Sequence, residues 1–128
     1  NDKIPNDAKV EETKTIIEAF RQLDSYLNRT LKKFTVELAP EGTDFLQKVW
    51  AALCEIPYGK SMTYKEIAIK IGNPKACKAV GMANNRNPIP IFIPCHRVLG
   101  TNKKLTGYNA GIEVKRKLLD IEGIKYKL

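Results

Sequence analysis

The sequence predicts an α/β fold, mainly helical, with a winged-helix-like helix-turn-helix and a short helix-strand segment ahead of it. Three observations carry this prediction. Apolar residues recur at helical spacing through several separate stretches. Two of those stretches are joined by a tight Gly-Asn-Pro turn. The one alternating run, "FTVELAP" at 34–40, is short and stops at Pro40 and Gly42.

The first helix is predicted over about 7–32, where Val10, Ile16, Ile17, Phe20, Leu23, Leu27 and Leu31 fall near helical spacing. Asn28 offers an earlier stop. The strand follows, and the Pro40–Gly42 break divides an abbreviated N-terminal segment, 1–42, from a main domain, 43–128. "TDFLQKVWAALCEI" opens that domain as an amphipathic helix. Thr43 suits its N-cap, and Phe45, Val49, Leu53 and Ile56 share a face with Leu46 and Trp50 beside them. Cys54 reads as a core or near-core thiol of this helix, which "PYGK" ends.

"SMTYKEIAIKIGNPKACKAVGMANN" is punctuated at every boundary. Thr63 and Glu66 form a capping box, with Met62 and Ile67 as its hydrophobic staple. Gly72 supplies a C-terminal stop. Asn73 and Pro74 suit the N-cap and first position of the next helix. Two helices joined by a tight turn within so few residues have the spacing of a helix-turn-helix. Such a pair is either a structural element or a nucleic-acid reader.

Prolines at 88, 90 and 94 forbid a regular helix in "NRNPIPIFIPCHRVLG" and disfavour an inner strand. The run delivers Cys95 at a fixed place. "TNKK" is a turn between two short extended pieces. "NAGIEVKRKLLDIEG" is the last helix, with Val114, Leu118 and Ile121 inward and Gly123 beyond its end.

The 128 residues suffice for one domain with a core, and 43% apolar with 28% charged residues is a globular composition. No apolar run approaches the roughly 20 residues that span a membrane, and no membrane partner is expected. The chain opens at Asn1 rather than Met, as a processed product or fragment would, and its start lacks the regions of a secretory signal. Cys54, Cys77 and Cys95 form no CxxC pair and cannot all be paired in one chain. Free thiols fit a reducing compartment, so an intracellular place, cytoplasmic or at the nucleoid or nucleus, is expected. With a single histidine and no clustered thiols, neither a metal nor another cofactor is expected.

The net charge of +8 is uneven. Residues 1–42 hold seven Lys/Arg against eight Asp/Glu, and residues 43–128 hold fifteen against six. Within 60–86, Lys60, Lys65, Lys70, Lys75, Lys78 and Arg86 face only Glu66. Such a field concentrates polyanions, which favours the nucleic-acid reading of the helix pair over a merely solvated surface.

His96, the only histidine, directly follows Cys95. A thiolate is the reactive sulfur species, and an imidazole nearby can take the proton, directly or through one water. Arg97 adds positive charge. The alternative is a buried apolar cysteine with a histidine neighbour by chance. A nucleophilic cysteine beside a basic helix pair points to chemistry on DNA. Alkyl transfer to sulfur needs only the thiolate and a pocket that holds the alkyl group in line.

On these residues the chain resembles the O6-alkylguanine–DNA alkyltransferases, also called methylated-DNA–protein-cysteine methyltransferases. "IPCHRV" resembles their active-site motif. "GTDFLQKVWAALCEIPYGKSMTYKEIA", "GNPKA", "AVG", "NPIPIFIPCHRV", "GYNAG" and the terminal "EG" extend the likeness over about 43–123. The resemblance implies single-turnover DNA repair. Cys95 takes the alkyl group from O6-alkylguanine, with O4-alkylthymine as a further lesion, and remains as a thioether. His96 acts as base through a water, Glu122 orients it, and Asn87 braces the active-site loop. Tyr64 contacts the extruded nucleotide and helps protonate the leaving guanine. Backbone groups of Cys95, Val98 and Asn109 read the base edge, and Tyr108 lines the pocket.

The partner implied is double-stranded DNA, entered from the minor groove by the second helix of the pair, with the protein a monomer. Lys78, Arg86 and Arg97 join the DNA-binding set. Lys78 stands where most relatives carry an arginine that fills the gap left by the flipped base. Relatives also carry a small sheet-containing domain ahead of the helix and strand at 7–39. Two rivals stay open: a lesion sensor of the same lineage that binds without reacting, and a helix-turn-helix regulator in which Cys95 is a bystander.

Overall fold

The computed structural model describes residues 6–36, 40–108 and 111–128, with side chains from residue 14 onward. It divides into two compact units, Asn1–Leu38 and Ala39–Leu128. The first is built on helix α1, Asn6–Leu27. The helix stops at Asn28, short of residue 32. Arg29 turns left-handed at φ 64°, and the amides of Thr30 and Leu31 both fold back to the Ser25 carbonyl.

Residues 34–36 form no strand, and the rest of the predicted one, 37–39, lies outside the described residues. Gln22 supplies the reason. Its Oε1 accepts from the amides of Thr35 at 2.9 Å and Val36 at 3.3 Å, while its Nε2 donates to Thr35 Oγ1 at 2.7 Å. A side-chain amide thus takes the donors that a neighbouring strand would have used. Tyr26 packs its ring 5.4 Å from that of Phe34 in the same unit.

The second unit begins with α2, Asp44–Cys54, capped by Thr43, whose hydroxyl accepts from the Leu46 amide. Strand β1, Met62–Thr63, leads directly into α3, Tyr64–Lys70. The capping box is complete: Thr63 Oγ1 accepts from the Glu66 amide, and Glu66 Oε1 from the Thr63 amide. At the other end Gly72, at φ 82°, sends its amide to the Ile69 carbonyl while Asn73 reaches that of Ala68. This is a Schellman stop, which favours glycine at the left-handed position.

Helix α4, Cys77–Asn85, starts later than its punctuation suggests. Asn73 and Pro74 lie instead in a turn closed by the Ala76 amide on the Asn73 carbonyl, so Ala76 is the N-cap and no side chain caps it. The proline run then leads to a 3-10 turn, Cys95–Arg97, and strand β2, Val98–Leu99, which pairs in parallel with β1. Met62 lies opposite Val98 and Thr63 opposite Leu99. A second 3-10 turn, Thr101–Lys103, precedes α5, Ile112–Glu122. No helix among the described residues is long and apolar enough to cross a membrane.

The core of this unit joins Val49, Leu53 and Ile56 to Ile67 and Ala68 of α3, Val80 and Ala83 of α4, and Cys95 and Val98. Trp50 adds a buried hydrogen bond, donating to the Ala83 carbonyl of α4 at 3.1 Å. Two expectations are corrected. Cys54 is exposed, because it sits on the far side of α2 from Leu53 and Ile56. The inner face of α5 is Lys115, Leu118, Leu119 and Glu122, whereas Val114 is exposed and Ile121 only half-buried. Leu53 is fully buried where α2 meets the rest of the core. Leu53→Ala should therefore cost about 2–5 kcal/mol, read as a lowered urea midpoint with an unchanged slope.

Candidate active site

The polar centre of the second unit is the carboxylate of Glu122, on the last turn of α5. It accepts His96 Nε2 at 2.6 Å, Arg97 Nε at 2.7 Å, Arg97 Nη2 at 3.1 Å and the Gly59 amide at 3.1 Å. All three side chains are buried. Arg97 also donates from Nη1 to the Ile56 carbonyl at 2.7 Å, and its guanidinium lies 5.7 Å from the Tyr58 ring centroid. Tyr58 in turn donates to the Ile121 carbonyl at 3.2 Å. The turn after α2, the cysteine turn and the end of α5 are thereby tied to one charge.

This corrects the placement of Arg97 on the DNA-binding face. Its guanidinium is the interior counter-charge of Glu122, and a buried carboxylate needs such a partner. The bond from Nε2–H to Glu122 fixes the histidine tautomer and leaves the Nδ1 lone pair as a proton acceptor. Burial lowers the His96 pKa from its ordinary 6.5, against the opposing pull of Glu122. At neutral pH the ring is the uncharged base that a thiol proton requires.

Cys95 is buried one residue before. Its Sγ lies 3.5 Å from the Tyr108 hydroxyl and donates to it as a thiol. Burial, then the neighbouring Cys95, push the Tyr108 pKa up, so its hydroxyl keeps its proton and can turn to donate to a thiolate. The Cys95 carbonyl accepts from Asn84 Nδ2 of α4 at 3.4 Å and from the Val98 amide. Asn87 is buried and spans the proline loop, donating to the Ile93 carbonyl at 2.8 Å and accepting from the Ile89 amide at 3.0 Å.

Tyr64 is half-buried at the start of α3, its hydroxyl 3.0 Å from Thr106 Oγ1. Lys78 and Arg86 are exposed on α4 and at its end. Asn109 lies outside the described residues. One lone pair of the Val98 carbonyl is taken by Lys115 Nζ at 2.7 Å.

Lys115, Thr106, Tyr58 and Gly59 escaped the sequence reading. Lys115 is fully buried, donates also to Thr106 at 3.2 Å, and has its pKa lowered by burial to about 8. A signal was present: Lys115, Leu118, Leu119 and Glu122 repeat at i, i+3, i+4 and i+7, so the lysine shares a face with two leucines. Among the described residues no cluster of three or more His, Cys, Asp or Glu could hold a metal ion.

A helix-turn-helix pair packed against a turn that carries a buried cysteine and its base defines a class: a DNA-directed protein with a cysteine nucleophile. The family described as "6-O-methylguanine DNA methyltransferase, DNA binding domain" matches residues 44–124. The methylated-DNA–protein-cysteine methyltransferase of Methanosarcina barkeri is 58% identical over 113 residues, 88% of this chain and 72% of that protein. Among solved structures, that of Mycobacterium tuberculosis OGT in complex with DNA superposes with a TM-score of 0.81 at 54% identity, covering 83% of this chain and 65% of that one. S. pombe Atl1 in complex with damaged DNA containing O6-carboxymethylguanine superposes with a TM-score of 0.60 at 34% identity, over 67% of this chain and 82% of that one. The chain thus spans about two thirds of the length of the mycobacterial structure it matches. It belongs to the O6-methylguanine DNA methyltransferase family.

The histidine carries a pH signature. Its folded pKa lies below 6.5, so on acidification the unfolded chain binds a proton first and stability falls as pH drops below about 6.5. Thermal midpoints measured from pH 7.5 to 5 should decline over that window, and His96→Gln should flatten the decline.

Proposed function

We propose that this chain repairs alkylated DNA by direct reversal, moving the alkyl group from guanine O6 to its own Cys95. The reading rests on one observation above the others: Glu122 holds His96 with its acceptor nitrogen free of the carboxylate, directly beside the buried Cys95. His96 takes the thiol proton through a water, and the thiolate attacks the alkyl carbon in line. Guanine leaves and Cys95 remains a thioether, so each chain reacts once. Asn87 keeps the proline loop closed behind the nucleophile. Tyr108 supports the thiolate, and Tyr64 gives the departing base its proton.

A stacked base hides its O6 substituent, so the nucleotide must be flipped out of the duplex at a cost of a few kcal/mol. The α3–α4 pair is the DNA-binding element, with α4 in the minor groove and one monomer per lesion. Small residues Ala76, Ala79, Gly81 and Ala83 permit close approach of its backbone. Lys78 and Arg86 supply positive charge at the surface.

Incubation with duplex DNA containing O6-methylguanine should add one methyl group per chain, found by intact mass and mapped to Cys95. Cys95→Ser should abolish the transfer and keep lesion binding. Methylation mainly at Cys54 or Cys77, or repeated turnover, would defeat the reading.

Lys78 makes a finer prediction. Arginine is planar and stacks in the space a flipped base vacates, whereas lysine is a hydrated point charge. Lys78→Arg should speed transfer from duplex DNA and leave transfer from free O6-benzylguanine, which needs no flipping, nearly unchanged. Equal effects on both substrates would place Lys78 in the chemistry or the fold.

A further inference from the structure

Lys115 is the one fully buried lysine among the described residues, and the reaction outlined above gives it no task. Its Nζ donates to Thr106 Oγ1 at 3.2 Å, and Thr106 Oγ1 lies 3.0 Å from the Tyr64 hydroxyl. The Val98 carbonyl, 2.7 Å from Nζ, anchors the lysine head at the other side. These groups come from α5, the loop before it, α3 and β2, so tertiary packing alone assembles the line. Thr106 is also fixed in place. Its methyl occupies the space beside Gly100, where an added Cβ would come within 2.7 Å.

We propose that Lys115 and Thr106 act as positioning residues behind Tyr64, forming a proton line that turns the tyrosine hydroxyl toward the leaving guanine and resupplies its proton. The proposal rests on the repair reading above, with Tyr64 as donor to the base. An ammonium has three donors and no acceptor, so it turns the Thr106 hydroxyl dipole away from itself and toward Tyr64. The Tyr64 oxygen then accepts from Thr106, and its own hydrogen points outward.

The step balances. The Cys95 thiol proton has already passed to His96, and the sulfur lone pair forms the bond to the alkyl carbon. As the carbon–O6 bond breaks, its electron pair passes to the guanine, which takes the Tyr64 proton. Thr106 gives its proton to the Tyr64 oxygen and takes one from Lys115, which is left as a neutral amine for solvent to reprotonate. Burial brings Lys115 to about 8, so it is mainly ammonium at neutral pH yet yields a proton far more readily than an exposed lysine. The two halves of the reaction thus use opposite sides of Cys95: the proton leaves through His96 and Glu122, and arrives through Lys115, Thr106 and Tyr64.

The test compares two electrophiles at Cys95. O6-Benzylguanine has a leaving base that needs a proton; iodoacetamide expels iodide and needs none. Thr106→Val keeps the shape and deletes the hydroxyl, while Thr106→Ser restores it. Thr106→Val should slow benzyl transfer by at least about tenfold, the lower range of what a positioned general acid contributes. Its iodoacetamide rate should match wild type, and Thr106→Ser should recover most of the benzyl rate. Adding Lys115→Met to Thr106→Val should slow benzyl transfer little further, because the lysine acts through the threonine.

Unchanged benzyl transfer in Thr106→Val would overturn the proposal. So would parallel losses with both electrophiles, which would make Thr106 a support of the fold or the nucleophile. A further large loss in the double variant would separate Lys115 from the line and overturn its part. A wild-type chain that reacts with iodoacetamide at Cys95 yet takes no benzyl group would instead defeat the repair reading, and the proton line with it.

Discussion

One buried negative charge organises the catalytic half of this protein. Glu122 receives a histidine, two nitrogens of an arginine and a backbone amide, from segments that are 25 to 63 residues away in sequence. A buried ion pair adds little net stability over a well-packed apolar alternative, but removing one partner costs about 3–5 kcal/mol. What the arrangement supplies is orientation. The ring of His96 cannot turn without losing Glu122, and Arg97 cannot leave without stranding it. The 3-10 turn that carries Cys95 is held from both of its following residues, and Cys95 inherits a fixed position.

Around that fixed sulfur the interior is polarised. One side offers an acceptor, a histidine that burial keeps neutral; the other gathers hydrogen-bond donors, the hydroxyls of Tyr108, Thr106 and Tyr64 and the head of Lys115. Displacement at an alkyl carbon requires a proton to be removed from the nucleophile and another given to the leaving base. The fold separates these tasks in space, so neither group has to be acid and base in the same event. Donors held in advance in a dry site need little rearrangement when charge develops, which is the main electrostatic advantage available to a protein.

The surface follows a different rule. The α3–α4 pair shows its cations to solvent, and Gly81 of α4 leaves ordinary van der Waals clearance to the Tyr64 ring, 4.0 Å from where a Cβ would stand. The family's damaged-DNA chemistry needs a helix that approaches a backbone closely and a pocket directly behind it. Here both are met by packing α3 and α4 over the same core residues that bury Cys95. Binding surface and nucleophile share one apolar support.

Sequence by itself determined what is local. The Thr43 cap, the Thr63–Glu66 box, the stop at Gly72 and the inner face of α2 involve partners within about one or two helical turns, and each stands as its pattern implied. The motif around Cys95 and His96, and the chemistry of a thiol beside a base, were likewise on the page before any fold. Where local cues competed, they misled: Asn73 and Pro74 suit a helix start, yet a turn closed on Asn73 uses the same residues and delays α4 to Cys77. Tertiary structure alone decided the fate of the charges. Arg97 and Lys115 look like surface cations in the sequence, and both are buried because acceptors 17 to 41 residues away converge on them. Cys54, one residue from fully buried Leu53, faces outward because a step of one residue turns a helix by about 100°. A charge is buried only where distant backbone and side chains meet to satisfy it, and that meeting is a property of the packed chain.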